Sequence, residues 1–177
     1  MDKDKLLLKR HEALEGLEAS LQEELIAARL EAPDEEKGVE VLTVIFPELG
    51  LDGDGAVGEL FFLPLRSDED SVQHFSTVIT IADTIGEECL NELYEAVSFI
   101  NFRLPCGCYA FDRESGLLAY RLTVPLSVEL SPEELLRDMN ICSGNAVAAA
   151  DLHMDLLLRV IDGEASMEDV RAAFALP

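Results

Sequence analysis

The sequence predicts an α+β domain in the order helix, three strands, helix, two strands, helix and a short terminal helix. Three observations carry that prediction. Apolar residues recur at helical steps along residues 3–31 and 86–104, a spacing that places them on one side of a helix. Three short runs, residues 39–46 (VEVLTVIF), 57–63 (VGELFFL) and 74–82 (HFSTVITIA), are dense in β-branched and aromatic residues, which fit a pleated surface. The tetrapeptide Ser131-Pro132-Glu133-Glu134 has the form of a helix-opening cap, with Pro at the first helical position and Glu at the third.

The elements follow in order. Residues 3–31 contain no Pro, and Leu7, Leu14, Leu17, Leu21, Leu25 and Ala28 repeat at steps of three, four or seven, with Leu30 two residues further on, which predicts one amphipathic helix. Arg10 and Glu24 fall at seam positions, so the leucine stripe is expected to pack on its own domain or a twin subunit and not to form a long coiled coil. Residues 32–38 (APDEEKG) end that helix as a linker. The three strands form an antiparallel meander, joined by a tight turn at 51–55 (LDGDG) and a solvated loop at 67–71 (SDEDS). In the third, Phe75, Thr77, Ile79 and Ile81 share one face, as in a sheet buried on one side. The first is apolar on both faces.

Residues 86–104 form a second helix that Pro105 closes. Residues 107–112 and 117–126 read as a hairpin turned at 113–116 (RESG). The capped helix runs from Ser131 to about Ile161, Asp162 and Gly163 stop it, and Ser166 caps a short helix holding Val170 and Phe174. The chain divides into a helix and linker at 1–37, an α+β domain at 38–163 and a terminal helix at 164–177.

Charge sets the class of partner. Thirteen basic side chains stand against 36 acidic ones, a formal charge of −23. So few cations cannot displace counterions from a nucleic acid or hold an anionic lipid surface. No stretch has the length of a membrane span or a secretory core. The expected setting is cytoplasmic, and the expected partner is a protein segment, basic or apolar.

No residue set reads as catalytic, and no cofactor is implied. Cys106-Gly107-Cys108 has the look of a metal or redox pair, but structural zinc takes four ligands and no second pair is spaced to complete the set. Two cysteines on one side of a strand behave more simply as small hydrophobes. An enzyme, thiol-dependent or metal-binding, centred on Cys106 and Cys108 is the alternative function. His11, His74 and His153 lie on separate elements, and no metal site is predicted. Asp52-Gly53-Asp54-Gly55 fails the calcium-loop frame, because its closing position is Phe61. The acidic clusters at 34–36, 68–70 and 87–88 suit solvated loops and a helix's first turn.

The element order, with Asn101-Phe102-Arg103-Leu104-Pro105-Cys106-Gly107-Cys108-Tyr109, resembles the YbjN family and, through shared architecture, the class I type III secretion chaperones. Asn101, Leu104, Pro105, Gly107 and Tyr109 match the pattern N-x-x-L-P-x-G-x-[FY] at the end of the second helix, and the similarity spans about residues 39–161. The resemblance implies a type III secretion chaperone-like α+β fold, a homodimer, and a non-enzymatic chaperone or adaptor that binds another polypeptide.

Two surfaces are expected from these readings. The second helix carries more apolar residues than one sheet contact covers, so Leu90, Leu93, Tyr94, Val97 and Ile100 are expected at a homodimer interface. Leu42, Val44 and Phe46 are expected to meet an extended client at the sheet.

Overall fold

A computed structural model describes residues 3–33, 38–47, 49–50, 55–65 and 71–175. The expected turn at 51–55, the loop at 67–71, most of the linker at 32–38 and the acidic clusters at 34–36 and 68–70 lie wholly or largely outside the described residues. The fold is α+β; among the described residues it has four α-helices and one six-stranded antiparallel sheet in the order β1-β2-β3-β4-β6-β5.

Helix α1 spans Lys3–Glu23 and not 3–31. Leu25 turns left-handed at φ 63°, the Ile26 N–H donates to the Leu21 carbonyl at 2.9 Å, and the Leu25 N–H donates to that of Gln22 at 3.0 Å. This pair of bonds is a Schellman closure. The chain then reverses into β1 (Ala27–Glu31), an edge strand paired with β2 (Val41–Phe46). Ile26, Ala28 and Leu30 alternate as a strand does, and Ala28 also continues the helix spacing of α1.

Strands β3 (Ala56–Phe62) and β4 (Val72–Ala82) continue the meander, with a bulge near Thr80. A 3-10 turn at Glu87–Cys89 leads into α2 (Leu90–Asn101), shorter at both ends than 86–104. Strands β5 (Cys108–Asp112) and β6 (Leu117–Ser127) form the expected hairpin, and β6 inserts beside β4 so that β5 is the far edge. Helix α3 (Pro132–Ile161) opens on the capping box Ser131–Glu134, and α4 (Met167–Ala173) opens on a second, Ser166–Asp169.

One core joins these elements. Leu14 and Leu17 of α1, Leu93 and Ile100 of α2 and Met139, Ala146 and Ala150 of α3 pack on the sheet face carrying Leu42, Leu60, Phe75 and Leu118. Small residues at 143, 146 and 150 let α3 lie close over the sheet. The Lys9 ammonium ties α1 down by donating to the carbonyls of Val128 and Leu130 at 2.6 and 2.7 Å. The opposite sheet face meets solvent at Ile45, Val57, Arg121 and Thr123.

Candidate functional site

The turn at 101–109 is built to hold an edge. Asn101, the last residue of α2, donates through Nδ2 to the Tyr109 carbonyl and accepts the Tyr109 N–H at Oδ1, both at 2.8 Å. Gly107 sits at φ 64°, and a Cβ there would lie 2.1 Å from the Tyr120 hydroxyl. That hydroxyl donates to the Cys106 carbonyl at 2.9 Å, while the Tyr109 hydroxyl donates to the Ala150 carbonyl at 2.7 Å. Burial pushes both phenols above their ordinary value, and the adjacent Cys106 and Cys108 add to the effect at Tyr120. The motif residues therefore perform structural work: Gly107 permits the turn, Tyr109 pins β5 to α3, and Asn101 satisfies the outer edge of β5 at Tyr109.

The other edge is closed in the same way. Glu18 of α1 accepts the Leu30 N–H at 3.0 Å, and Gln22 donates to the Ala28 carbonyl at 2.9 Å. Side chains thus occupy outward backbone groups on both edge strands, a device that blocks strand addition there.

The residues expected to meet partners are placed otherwise. Leu93 and Ile100 are 0% exposed, Leu90 and Val97 are buried, and only Tyr94, at 43%, reaches solvent. The apolar surplus of α2 is absorbed within the chain, because α3, β5 and α4 all pack on it. Leu42, Val44 and Phe46 are buried on the helix-covered face, and β1 and β3 take both edges of β2. These three residues are core and present no surface to a client. The exposed apolar residues of β2 and β3 are Ile45 (51%) and Val57 (46%), paired on the outer face, with the Thr43–Glu59 pair next to them and Val41–Phe61 beyond it.

Cys106 and Cys108 are both exposed, and no hydrogen bond joins either thiol to a base among the described residues. Burial pushes the Cys89 and Cys142 thiols above their ordinary value. Among the described residues no group of three or more His, Cys, Asp or Glu side chains is arranged around a metal-sized point. No described helix is long and apolar enough to cross a membrane.

A cavity of about 540 Å³ opens between α1 and the end of β3. Arg10 is 5% exposed there. Its Nε donates to Gln73 Oε1 at 3.0 Å, its Nη1 donates to the Leu63 carbonyl at 3.1 Å, and its Cζ lies 4.8 Å from the Phe62 ring centre. Nη2 is buried, with no hydrogen-bond partner among the described residues. Desolvation pulls the guanidinium down to about 10, so it remains charged at neutral pH. The sequence signal was a charged residue in the apolar phase of a helix, sharing its stripe with Leu6, Leu14 and Leu17.

No protein-family model matches the chain, and no curated protein matches it.

Proposed function

We propose that the protein is a non-enzymatic, cytoplasmic chaperone or adaptor that holds a segment of another protein against the outer face of its sheet. The observation that carries this reading is the one-sided layering: the helices cover one face, while Ile45 and Val57 stand exposed on the other. With the edge strands closed at Ala28, Leu30 and Tyr109, the client lies on the face and adds no strand. The formal charge of −23 favours a basic, partly apolar segment and speeds its approach. The resemblance to the YbjN family and the secretion chaperones points to the same class of activity. The homodimer it implies pairs around Tyr94, the one expected contact residue left in solvent, and sedimentation of wild type and Tyr94→Glu tests that pairing.

The binding test uses labelled peptides in which Lys alternates with Val or Leu, beside the same peptides with Glu in place of Lys. Fluorescence anisotropy should show binding of the Lys series alone, weakened by salt. The double variant Ile45→Lys, Val57→Lys should weaken it by about tenfold or more with thermal unfolding unchanged. Equal binding by wild type and the double variant, or by the Lys and Glu series, would overturn the proposal.

A further inference from the structure

Cys106 and Cys108 do not serve as the small hydrophobes of a strand face, because the fold leaves both exposed. The other two cysteines are shielded. Cys89 is buried and Cys142 half-buried, and burial pushes both of their thiols up. Since the thiolate is the reactive form, burial keeps those two inert. The four cysteines of the chain thus divide into a protected pair on separate elements and an accessible pair one residue apart.

The backbone holds the accessible pair within bonding range. Two residues apart, their Cα atoms cannot separate beyond about 7 Å, and a disulfide spans about 4.4–6.8 Å between Cα atoms. Gly107 between them sits at a φ of 64°, a bend that shortens the span below that of extended chain. Both ends of the turn are fixed: the Tyr120 hydroxyl donates to the Cys106 carbonyl at 2.9 Å, and Cys108 opens β5 opposite Arg121. After burial, the groups that raise the Tyr120 hydroxyl are the Cys106 and Cys108 thiols, so both are neighbours of one phenol. Among the described residues no third His, Cys, Asp or Glu joins them around a metal-sized point, and structural zinc takes four ligands. Bonding to each other is the chemistry left to two such thiols.

We propose that Cys106 and Cys108 form a modification site, at which a small-molecule disulfide oxidises them to an intrachain disulfide across Gly107. One cysteine, its proton given up to water, attacks a sulfur of the reagent, forms a mixed disulfide and expels one thiolate. The second cysteine, deprotonated in turn, attacks the protein sulfur of that mixed disulfide and expels the other thiolate. Two protein thiols are oxidised, the reagent is reduced to two thiols, and the two protons end on the released thiolates. A bond closed over one residue and open to solvent is readily reduced, so it acts as a reversible clip on the turn. The pair is on the sheet edge remote from β2 and β3, so its chemistry stands or falls apart from the proposed function.

The test treats the native full chain with hydroxyethyl disulfide in small excess, an uncharged reagent that the acidic surface does not repel. Free thiols should fall from four per chain to two, with the mass lowered by two hydrogens and no reagent retained. Peptide mapping should place the bond between Cys106 and Cys108, and dithiothreitol should restore all four thiols. Cys106→Ser and Cys108→Ser, each without its resolving thiol, should instead keep half of the reagent as a mixed disulfide. Four thiols remaining on wild type, a mixed disulfide that persists there, a bond between two chains, or a bond at Cys89 or Cys142 would each overturn the proposal.

Discussion

Asn101 gives Tyr109 the two hydrogen bonds that a neighbouring strand would otherwise supply, one donated and one accepted, each at 2.8 Å. The last residue of α2 thereby stands in for a seventh strand at one position. Because Tyr109 is buried and its hydroxyl reaches the Ala150 carbonyl, the same contact fixes the end of α2, the edge of the sheet and the middle of α3 together.

Asn101→Ala leaves the partly buried N–H and carbonyl of Tyr109 without partners. Each such loss costs about 1–3 kcal/mol, so urea unfolding should show a loss of about 2–4 kcal/mol. The variant should also gain self-association through the bared edge of β5. A loss below about 0.5 kcal/mol would mean that Asn101 is dispensable to the fold.

Leu93→Asp places a carboxylate where the side chain is wholly buried among α3 and the sheet. The cost of burying an unpaired charge is several kcal/mol, comparable with the whole stability of a domain, about 5–15 kcal/mol. Circular dichroism should show a largely unfolded chain. A folded protein of altered mass would instead place Leu93 at an interface between copies.

What was legible in the sequence was local. The S-P-E-E cap, the hairpin at 113–116 and the alternation of Phe75, Thr77 and Ile79 depend on neighbours a few residues away, and each appears in the structure. The end of α1 was hidden because Ala28 fits both periods and the stop is a left-handed Leu25 where a Gly is usual. The fates of Leu93 and Val44 depend on segments remote in sequence: thirty residues separate α2 from α3, and β1 occupies an edge of β2 that the sequence left open. Arg10 was visible as a polar residue in an apolar seam, but only the fold brings Gln73, Leu63 and Phe62 around it.

The two capping boxes predict a particular acid sensitivity. Hydrogen bonds from Ser131 hold the Glu134 carboxyl below its ordinary 4.5, and those from Ser166 hold Asp169 below 3.8. A carboxyl with a lowered folded value binds fewer protons folded than unfolded, so stability falls as pH falls. The contribution is complete above the unfolded values and disappears as pH drops through the folded ones. Glu134→Gln with Asp169→Asn keeps the acceptors without the titration. Between about pH 5 and about pH 3 the double variant should lose less of its unfolding temperature than wild type, and an identical loss in both would contradict the assignment.

The central claim, that the outer sheet face receives a protein segment, is tested most directly by where a bound basic peptide perturbs the backbone amide resonances. Titration with a Lys-Val alternating peptide should shift the amides around Ile45, Val57 and Phe61 and their neighbours on β4, and leave those near Leu7, Leu8 and Tyr109 unmoved. Shifts confined to α1 or to the edge of β5, with the amides of Ile45 and Val57 unchanged at saturation, would contradict it.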